Sequence, residues 1–332
     1  MKPLRCIILA CCLLLAIPLP AQAAAAMDEE AAANAKRLQM FKKTGRQTRI
    51  SWELLAAADL FEHNVRLSRR DLPKQTGLIG LYIPPERWSG PANPLPSDDN
   101  PVRIRLFGGI GKDGNGDGRA DPKSDEDVLY SYASFLSQYG RGLENSKIGL
   151  WDYYQRDKSV GIILGHMKVI KKTGHLNLAG RSFPVPIRYN YSYRSTWGDA
   201  RGWGGRRIHE GTDVFADYGV PVLATSYGVV EMKGWNRYGG WRVGIRDVRN
   251  TYHYYGHLNG FAKNLREGMV VKPGEVIGSV GSSGYGPPGT AGKFPPHLHY
   301  GMYKDNGRTE YSFDPYAYLR IWERGDKKKR KK

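Results

Sequence analysis

The hydrophobic pattern of this chain changes near residue 173, and that change limits the fold more than any other feature. Before it, apolar residues recur at intervals of three and four, which is the spacing of amphipathic helices. After it, apolar and polar residues alternate in short runs between glycine-rich turns, which is typical of antiparallel strands. We therefore predict two domains, a mainly α domain over residues 46–172 and a mainly β domain with an antiparallel sheet over residues 173–322. A length of 332 residues accommodates two such units.

Individual helices and strands can be placed within these two regions. Ser51 can cap a helix in which apolar side chains from Leu54 to Val65 form one buried stripe. Ser124 can cap a second helix that ends at Gly140. Residues 148–170 are also apolar with helical spacing. In the second half the pattern predicts strands over residues 220–224, 241–248, 251–258, 275–280 and 297–303.

The first 23 residues have the pattern of a secretory signal peptide. A basic start precedes an apolar stretch that is too short to span a bilayer, and the small residues Ala21 and Ala23 form a cleavage site. We predict cleavage after Ala23 and no transmembrane segment after its removal. All three cysteines lie in this segment, so the exported chain can form no internal disulfide. Residues 24–45 are rich in alanine and charge, and we expect a mobile tether or a solvated helix there.

Charge narrows the choice of partners. The formal net charge of +18 favours an anionic partner. Because the chain is expected to be exported, we predict no nucleic acid partner and expect binding to an anionic cell-wall polymer. Lysine and arginine dominate residues 323–332, which we predict to be a basic, solvated tail.

The second half contains histidines at spacings that suit a metal ion. His209 and Asp213 are four residues apart, and His297 and His299 lie two apart on one face of a predicted strand. A hydrolytic zinc site needs three protein ligands and an open position for water, whose pKa the metal lowers to about 7. His209, Asp213 and one of the paired histidines provide such a set. The alternative is that these histidines are core or surface residues with satisfied hydrogen bonds.

These motifs resemble those of the lysostaphin and LytM-like family of peptidoglycan-cleaving zinc endopeptidases. The His-x-x-x-Asp, Tyr-x-His-Leu and His-Leu-His elements of that family occur here in family order, at residues 209–213, 255–258 and 297–299. The resemblance covers residues 206–318 and implies one zinc ion per chain. It implies three zinc ligands, His209, Asp213 and His299, and two catalytic histidines, His257 and His297.

Within that family the sequence resembles a subgroup, the L-Ala to γ-D-Glu endopeptidases of endospore-forming bacteria. Two distinctive loops, residues 234–241 and 281–290, carry this likeness, which implies cleavage between L-Ala and D-Glu of the stem peptide and a role in the cell wall or spore cortex. Trp235 and Tyr255 are candidate walls for a stem peptide, and Arg237 is a candidate partner for its carboxylates. His253 matches no family element, and we expect it to pack or hydrogen-bond within its strand.

Glu62 is a candidate catalytic acid in the helical half. It borders the buried stripe of its helix, where a carboxyl group can have a raised pKa. The surrounding stretch weakly resembles the helix that bears the catalytic glutamate of lysozyme-like lytic transglycosylases, which implies a lysozyme-like domain and cleavage of glycosidic bonds. The alternative is a glutamate on an exposed helix face.

Residues 113–118 alternate acidic or amide side chains with glycine, as in a calcium loop. Asp113, Asn115, Asp117 and Asp121 would supply oxygen ligands to Ca²⁺. The twelfth position is Ser124 instead of glutamate, so a metal-free turn rich in glycine and aspartate is the alternative.

Two classes of function remain. One is a secreted, cell-wall-associated enzyme that acts on peptidoglycan, either at the L-Ala to D-Glu bond, at another stem or cross-link bond, or as a lytic transglycosylase. The other is a noncatalytic wall-binding protein. The full set of histidines favours the zinc peptidase.

Overall fold

The computed structural model describes residues 19–202 and 207–331 of the chain. Most of the predicted signal peptide, residues 1–18, lies outside the described residues. The helices are α1 (Leu19–Thr48), α2 (Trp52–Ser68), α3 (Pro85–Ser89), α4 (Pro101–Leu106), α5 (Asp125–Ser137), α6 (Leu143–Tyr154), α7 (Asp157–Thr173) and α8 (Tyr316–Arg330). The strands are β1 (Tyr191–Tyr193), β2 (Ala200–Arg201), β3 (Arg207–Ile208), β4 (Thr212–Ala216), β5 (Pro221–Leu223), β6 (Gly228–Asn236), β7 (Gly240–Asp247), β8 (Thr251–Phe261), β9 (Val270–Val271), β10 (Val276–Val280), β11 (His297–Asp305) and β12 (Glu310–Phe313).

The predicted helices of the first half are present, with their predicted caps. The Ser51 side chain accepts a hydrogen bond from the backbone of α2, and the Ser124 side chain does the same for α5. The apolar segment predicted over residues 148–170 is divided between two helices. Gln155 takes a left-handed conformation with φ 49° and ends α6, so α7 starts in a new direction.

Residues 24–45, which we expected to be a mobile tether or a solvated helix, are helical, but side chains in their second half are buried. Phe41 in α1 is completely buried in the helical core, and Thr44 is also buried. Arg37 forms an ion pair with Asp59, whose side chain is fully buried. One buried aromatic side chain and one ion pair therefore hold α1 against the helical core.

The second half is an antiparallel sheet, as predicted. Ten strands take part, and the main path through the sheet runs β1-β4-β11-β8-β7-β6-β9. The pattern did not predict β6, whose end we interpreted as part of a loop over residues 234–241. In the structure those residues belong to a β6–β7 hairpin in which Trp235 pairs with Trp241. Two glycines within β6 interrupt the alternation on which strand prediction depends.

The two halves share a buried interface, and each also has its own hydrophobic core. The helical core includes Val229 and Val248 from the sheet. Asn64 Nδ2 of α2 donates to the Val248 carbonyl oxygen at 3.0 Å. Arg156, just before α7, forms hydrogen bonds of 3.1 and 2.6 Å with the completely buried Asp305 carboxylate of β11. The end of α7 at residue 173 marks the change from helix to strand, but the contacts continue across it.

The basic residues at the end of the chain are exposed to solvent, as expected, but those up to Arg330 are helical. Residues up to Arg330 belong to α8, whose Trp322 and Glu323 are buried. The Asp326 carboxylate accepts hydrogen bonds from the Phe183 backbone N–H at 2.7 Å and from the Ser182 hydroxyl at 3.0 Å. A few anchored residues among the lysines are enough to keep this segment helical. Within residues 19–202 and 207–331, no helix is both long and apolar enough to cross a membrane.

Candidate active site

Three neighbouring strands bring the predicted metal ligands together. β11 lies between β4 and β8, and in the register of these pairs His299 is opposite Asp213 on one side and Gly256 on the other. His209 stands directly after β3 and leads into β4. Because adjacent strands lie about 4.8 Å apart, opposed side chains on one face of the sheet come into contact.

The predicted ligand atoms converge on one point. His209 Nε2 lies 3.1 Å from Asp213 Oδ1, and His299 Nδ1 lies 3.0 Å from the same oxygen. The two ring nitrogens are 2.8 Å apart. Among the residues that the structure describes, this trio is the only group of three or more His, Cys, Asp or Glu side chains whose ligand atoms all lie within 4.8 Å of one another.

Backbone carbonyls fix the orientation of three histidines at the site. His209 Nδ1 lies 2.7 Å from the Thr196 oxygen, His257 Nδ1 lies 2.8 Å from the Ser283 oxygen, and His297 Nδ1 lies 2.8 Å from the Pro295 oxygen. A carbonyl oxygen can only accept a hydrogen bond, so each Nδ1 carries the proton. The Nε2 of His257 and the Nε2 of His297 are each left with a lone pair that can accept a proton. His209 Nε2 faces Asp213 and is unprotonated when it binds a metal.

His257 is aimed by an irregularity of its strand. Trp241 pairs with Leu258, but Val243 pairs with Tyr255, so a bulge lies at residues 256–257. His257 has a left-handed backbone with φ 60°, which is uncommon for any residue except glycine. In a regular strand Tyr255 and His257 would share a face. The bulge separates them, so Tyr255 lies in the core and His257 lines a cleft.

The electrostatics of the site favour metal binding. Burial lowers the pKa of His257 to about 3 and also lowers the pKa values of His297 and His299. Burial alone would raise the pKa of Asp213, but hydrogen bonds from His209 and His299 outweigh it and hold that pKa well below its usual range. At neutral pH the site therefore combines an ionised carboxylate with neutral His257, His297 and His299 imidazoles, and carboxylate and neutral imidazole are the states in which these groups bind metal.

A cleft of about 530 Å³ opens beside the three ligands. His257 and His297 lie on its wall, with ring centroids 4.9 Å apart. The remaining wall is partly aromatic and partly charged. Its aromatic side chains are Tyr238, Tyr254, Tyr285, Phe294 and Tyr303, and its further charged side chains are Arg201, Arg207 and Glu210.

The three predicted substrate-binding residues are not part of this wall. Tyr255 is completely buried, and its hydroxyl lies 2.9 Å from Thr225 Oγ1. Trp235 donates its indole N–H to the Gly286 carbonyl at 3.3 Å and does not line the cleft. Arg237 is exposed outside it. Full burial excludes Tyr255 as a wall of this cleft, and substrate contacts by Trp235 and Arg237 stay predictions.

The sequence analysis missed the aromatic and basic residues that do line the cleft. Tyr254 lines the cleft where we predicted Tyr255, because only alternate residues of β8 face this side of the sheet. Tyr238 reaches the cleft from the turn between β6 and β7. Arg201 and Arg207 belong to a short hairpin of β2 and β3 that the sequence pattern does not reveal.

His253 lies outside the site. It is buried, with Nδ1 2.6 Å from the Tyr300 hydroxyl and Nε2 3.1 Å from Asp247 Oδ2. Its expected role as a packed, hydrogen-bonded residue is confirmed.

The loop predicted to bind calcium is held by its own hydrogen bonds. Side-chain oxygens of Asp113, Asn115, Asp117 and Asp121 accept backbone N–H groups of the loop at 2.6 to 2.9 Å. The buried Asp127 of α5, which sequence analysis overlooked, accepts three further backbone N–H groups and ties the loop to the helix. Binding of Ca²⁺ by this loop stays a prediction.

Glu62 is buried in the helical half, away from the cleft. Burial raises its pKa to about 7, against the opposing effects of a hydrogen bond with Tyr154 and the charge of Arg66. The expectation of a raised pKa agrees with this environment. Cleavage of glycosidic bonds by Glu62 and a lysozyme-like fold for this half stay predictions.

We predict that Glu62→Gln stabilises the protein above pH 7. In the unfolded chain Glu62 loses its proton near its ordinary pKa of 4.5, whereas in the folded state it keeps the proton up to about pH 7. The stability that this proton contributes is fully present below pH 4.5 and is lost as pH rises through 7. A shift of this size corresponds to about 3 kcal/mol of unfolding free energy. Urea unfolding at pH 5 and pH 8 would measure it.

The expected difference between variant and wild type is large at pH 8 and small at pH 5. Exposed Glu126→Gln is the control for removing one negative charge from the helical half. A Glu62→Gln difference that does not change with pH would show that the buried carboxyl group does not titrate in this range.

An antiparallel sheet that presents a His-Asp-His set next to two further histidines defines a metallopeptidase site. The family model for Peptidase family M23 matches residues 207–312. The L-Ala--D-Glu endopeptidase of Bacillus subtilis (strain 168) is 63% identical over 296 residues, which make up 89% of this chain and 91% of that protein. The chain therefore belongs to Peptidase family M23, and it is a peptidoglycan endopeptidase.

More distant relatives match a smaller part of the chain. Lysostaphin of Staphylococcus staphylolyticus is 35% identical over 115 residues, 34% of this chain and 22% of that protein. The solved catalytic domain of lysostaphin from Staphylococcus simulans is 28% identical, with 42% of this chain and 98% of that chain covered and a TM-score of 0.34. The predicted resemblance to the lysostaphin and LytM-like family is confirmed.

Proposed function

We propose that this chain is a secreted, zinc-dependent endopeptidase that hydrolyses the L-Ala to γ-D-Glu bond of the peptidoglycan stem peptide, in cell-wall or spore-cortex remodelling. The observation that carries the proposal is the 63% identity to the L-Ala--D-Glu endopeptidase, which extends over 296 residues and so includes both halves. The likeness to lysostaphin covers only 115 residues. The helical half is therefore a feature shared with the L-Ala--D-Glu enzyme.

The donor set of the site supports zinc. Two imidazole nitrogens, from His209 and His299, and one carboxylate oxygen, from Asp213, are the kind of ligands that catalytic zinc takes. Zinc bound there would polarise the scissile carbonyl and lower the pKa of a bound water to about 7.

His257 and His297 are suited to handle protons. Each is neutral at neutral pH and has an unprotonated Nε2, so either can accept the proton of an attacking water. The imidazolium that forms can donate a hydrogen bond to the developing oxyanion. It can then return the proton to the amino group of D-Glu as that group leaves.

Digestion of purified muropeptides tests the proposed bond. Cleavage at L-Ala to D-Glu leaves a single L-Ala on muramic acid and releases a peptide that begins with D-Glu, and mass spectrometry identifies both products. A metal chelator should stop the reaction. Products opened only at cross-links would contradict the proposed bond specificity but remain consistent with peptidase activity. New reducing or anhydro ends would indicate a glycosidase. Binding without any product would indicate a wall-binding protein.

We further propose that an anionic cell-wall polymer attracts the protein. Lys328, Arg330 and Lys331 at the end of α8 are exposed, and the formal charge of the chain is +18. Replacing these three residues by glutamine should weaken binding to intact sacculi. Added salt should weaken binding of the wild type, because it shortens the Debye length below its value of about 8 Å at physiological ionic strength. Sedimentation with sacculi measures both effects. Binding that is independent of salt would point to specific recognition of glycan.

A further inference from the structure

We propose that Arg201 sets substrate specificity by binding the α-carboxylate of the D-Glu residue that follows the scissile bond. The inference rests on the proposed function, because cleavage of the L-Ala to γ-D-Glu bond places this carboxylate next to the reacting atoms. D-Glu continues the stem through its γ-carboxyl group. Its free α-carboxylate is therefore attached to the same carbon as the scissile nitrogen.

The β2–β3 hairpin places Arg201 over the metal ligands. Ala200 pairs with Ile208 and Arg201 pairs with Arg207. Below these pairs, the His209 backbone N–H donates to the Asp199 oxygen at 2.9 Å, and the Gly198 N–H donates to the His209 oxygen at 2.8 Å. The segment that carries Arg201 is thus hydrogen-bonded to the first metal ligand itself.

Arg201 contacts a metal ligand and the cleft at the same time. Its Nη2 donates to Asp213 Oδ2 at 2.6 Å, while Asp213 Oδ1 is the oxygen that faces His209 and His299. Within the described residues, that is its only hydrogen bond, and its Nε is buried without a partner. A guanidinium group has five N–H donors in a planar fork and can serve two carboxylates. Arg201 therefore retains donors for a second anion beside Asp213.

The other described charged groups of the cleft, Arg207 and Glu210, have partners that are not metal ligands. Arg207 donates to the Tyr285 hydroxyl at 3.0 Å and lies over the Tyr238 ring. The Glu210 carboxylate accepts a hydrogen bond from the Ser312 hydroxyl at 3.0 Å and would repel an anion. In the described part of the cleft, Arg201 is the cation that contacts a metal ligand. A carboxylate next to the scissile nitrogen can reach it.

Two capped peptides test this inference. One contains L-Ala–γ-D-Glu–L-Lys, and the other is identical except that the D-Glu α-carboxylate is an amide. We expect the wild type to prefer the carboxylate by about 10- to 100-fold in kcat/KM, the range of one hydrogen bond to a charged group. Arg201→Gln should lose that preference, so that the ratio of the two kcat/KM values approaches one, and Arg201→Lys should lie between. Exposed Arg266→Gln is the matched control for loss of one positive charge.

Two further measurements distinguish recognition of the substrate carboxylate by Arg201 from orientation of Asp213 by Arg201. Zinc content of Arg201→Gln should equal that of the wild type. Calorimetry with the product γ-D-Glu–L-Lys should show weaker binding to the variant, whereas its α-amide should bind both proteins alike. Equal losses on both peptides, together with reduced zinc, would overturn the inference and make Arg201 a positioning residue. If the wild type cleaves a different bond, its muropeptide digest will show this independently of Arg201. Equal affinity of wild type and Arg201→Gln for the product would overturn the role of Arg201.

Discussion

Replacing Asp213 by alanine should empty the proposed zinc site and abolish peptidase activity. Asp213 Oδ1 lies within 3.1 Å of both His209 Nε2 and His299 Nδ1, so its removal leaves two imidazoles that must hold the ion alone. It also removes the negative charge that balances Arg201. The Lewis-acid contribution of a catalytic metal is worth several kcal/mol, so kcat/KM should fall by about 10³-fold or more.

Elemental analysis after dialysis and digestion of muropeptides provide the two measurements. Asp217→Ala is the control, because it makes the same substitution at an exposed position four residues further along the chain. Retention of one zinc ion by Asp213→Ala would show that the ligand set is wrong. Loss of zinc with full activity would show that the reaction does not depend on this site.

Replacing His257 by asparagine should have the opposite effect on metal, with activity lost and zinc retained. His257 is not one of the three converging ligands, and its Nε2 is available to accept a proton. Loss of a general base reduces turnover by about 10²- to 10⁴-fold. Asparagine suits this test because it tolerates the left-handed backbone with φ 60°, whereas alanine or valine would add strain.

Exposed His175→Asn is the matched control for loss of an imidazole outside the cleft. Unfolding in urea would check that His257→Asn keeps its stability. An empty metal site in His257→Asn would move His257 into the ligand set. Full activity would leave His297 as the residue that handles the proton.

The cluster of His209, Asp213 and His299 was predictable because strand geometry makes the spacing of these residues meaningful. His297 and His299 are two residues apart and so lie on one face of β11, and the family elements supplied the remaining ligands. The aromatic wall was not predictable in the same way. Residues 254 and 255 are both tyrosines, so residue type does not distinguish them. Only the strand register and the bulge at residues 256–257 decide which of the two faces the cleft.

Long-range contacts explain the remaining differences. Local patterns identified α2 and α5 because caps and apolar stripes are features of single segments. Burial of α1 depends on Phe41 and on a partner for Arg37 in another helix, and neither can be inferred from a segment dominated by alanine and charged residues. The β2–β3 hairpin has only two residues in each strand, so no alternation reveals it.

The buried interface between helices and sheet also determines how this enzyme can be taken apart. A chain cut after α7 would remove Arg156, the ion-pair partner of the now completely buried Asp305 carboxylate. Val229 and Val248 would become solvent-exposed. The sheet that carries the candidate active site therefore cannot be transferred on its own to another protein without exposing this interface. Chimeras that graft it onto another targeting domain will have to carry α2 and α7 with it, or replace the apolar back of the sheet with polar residues.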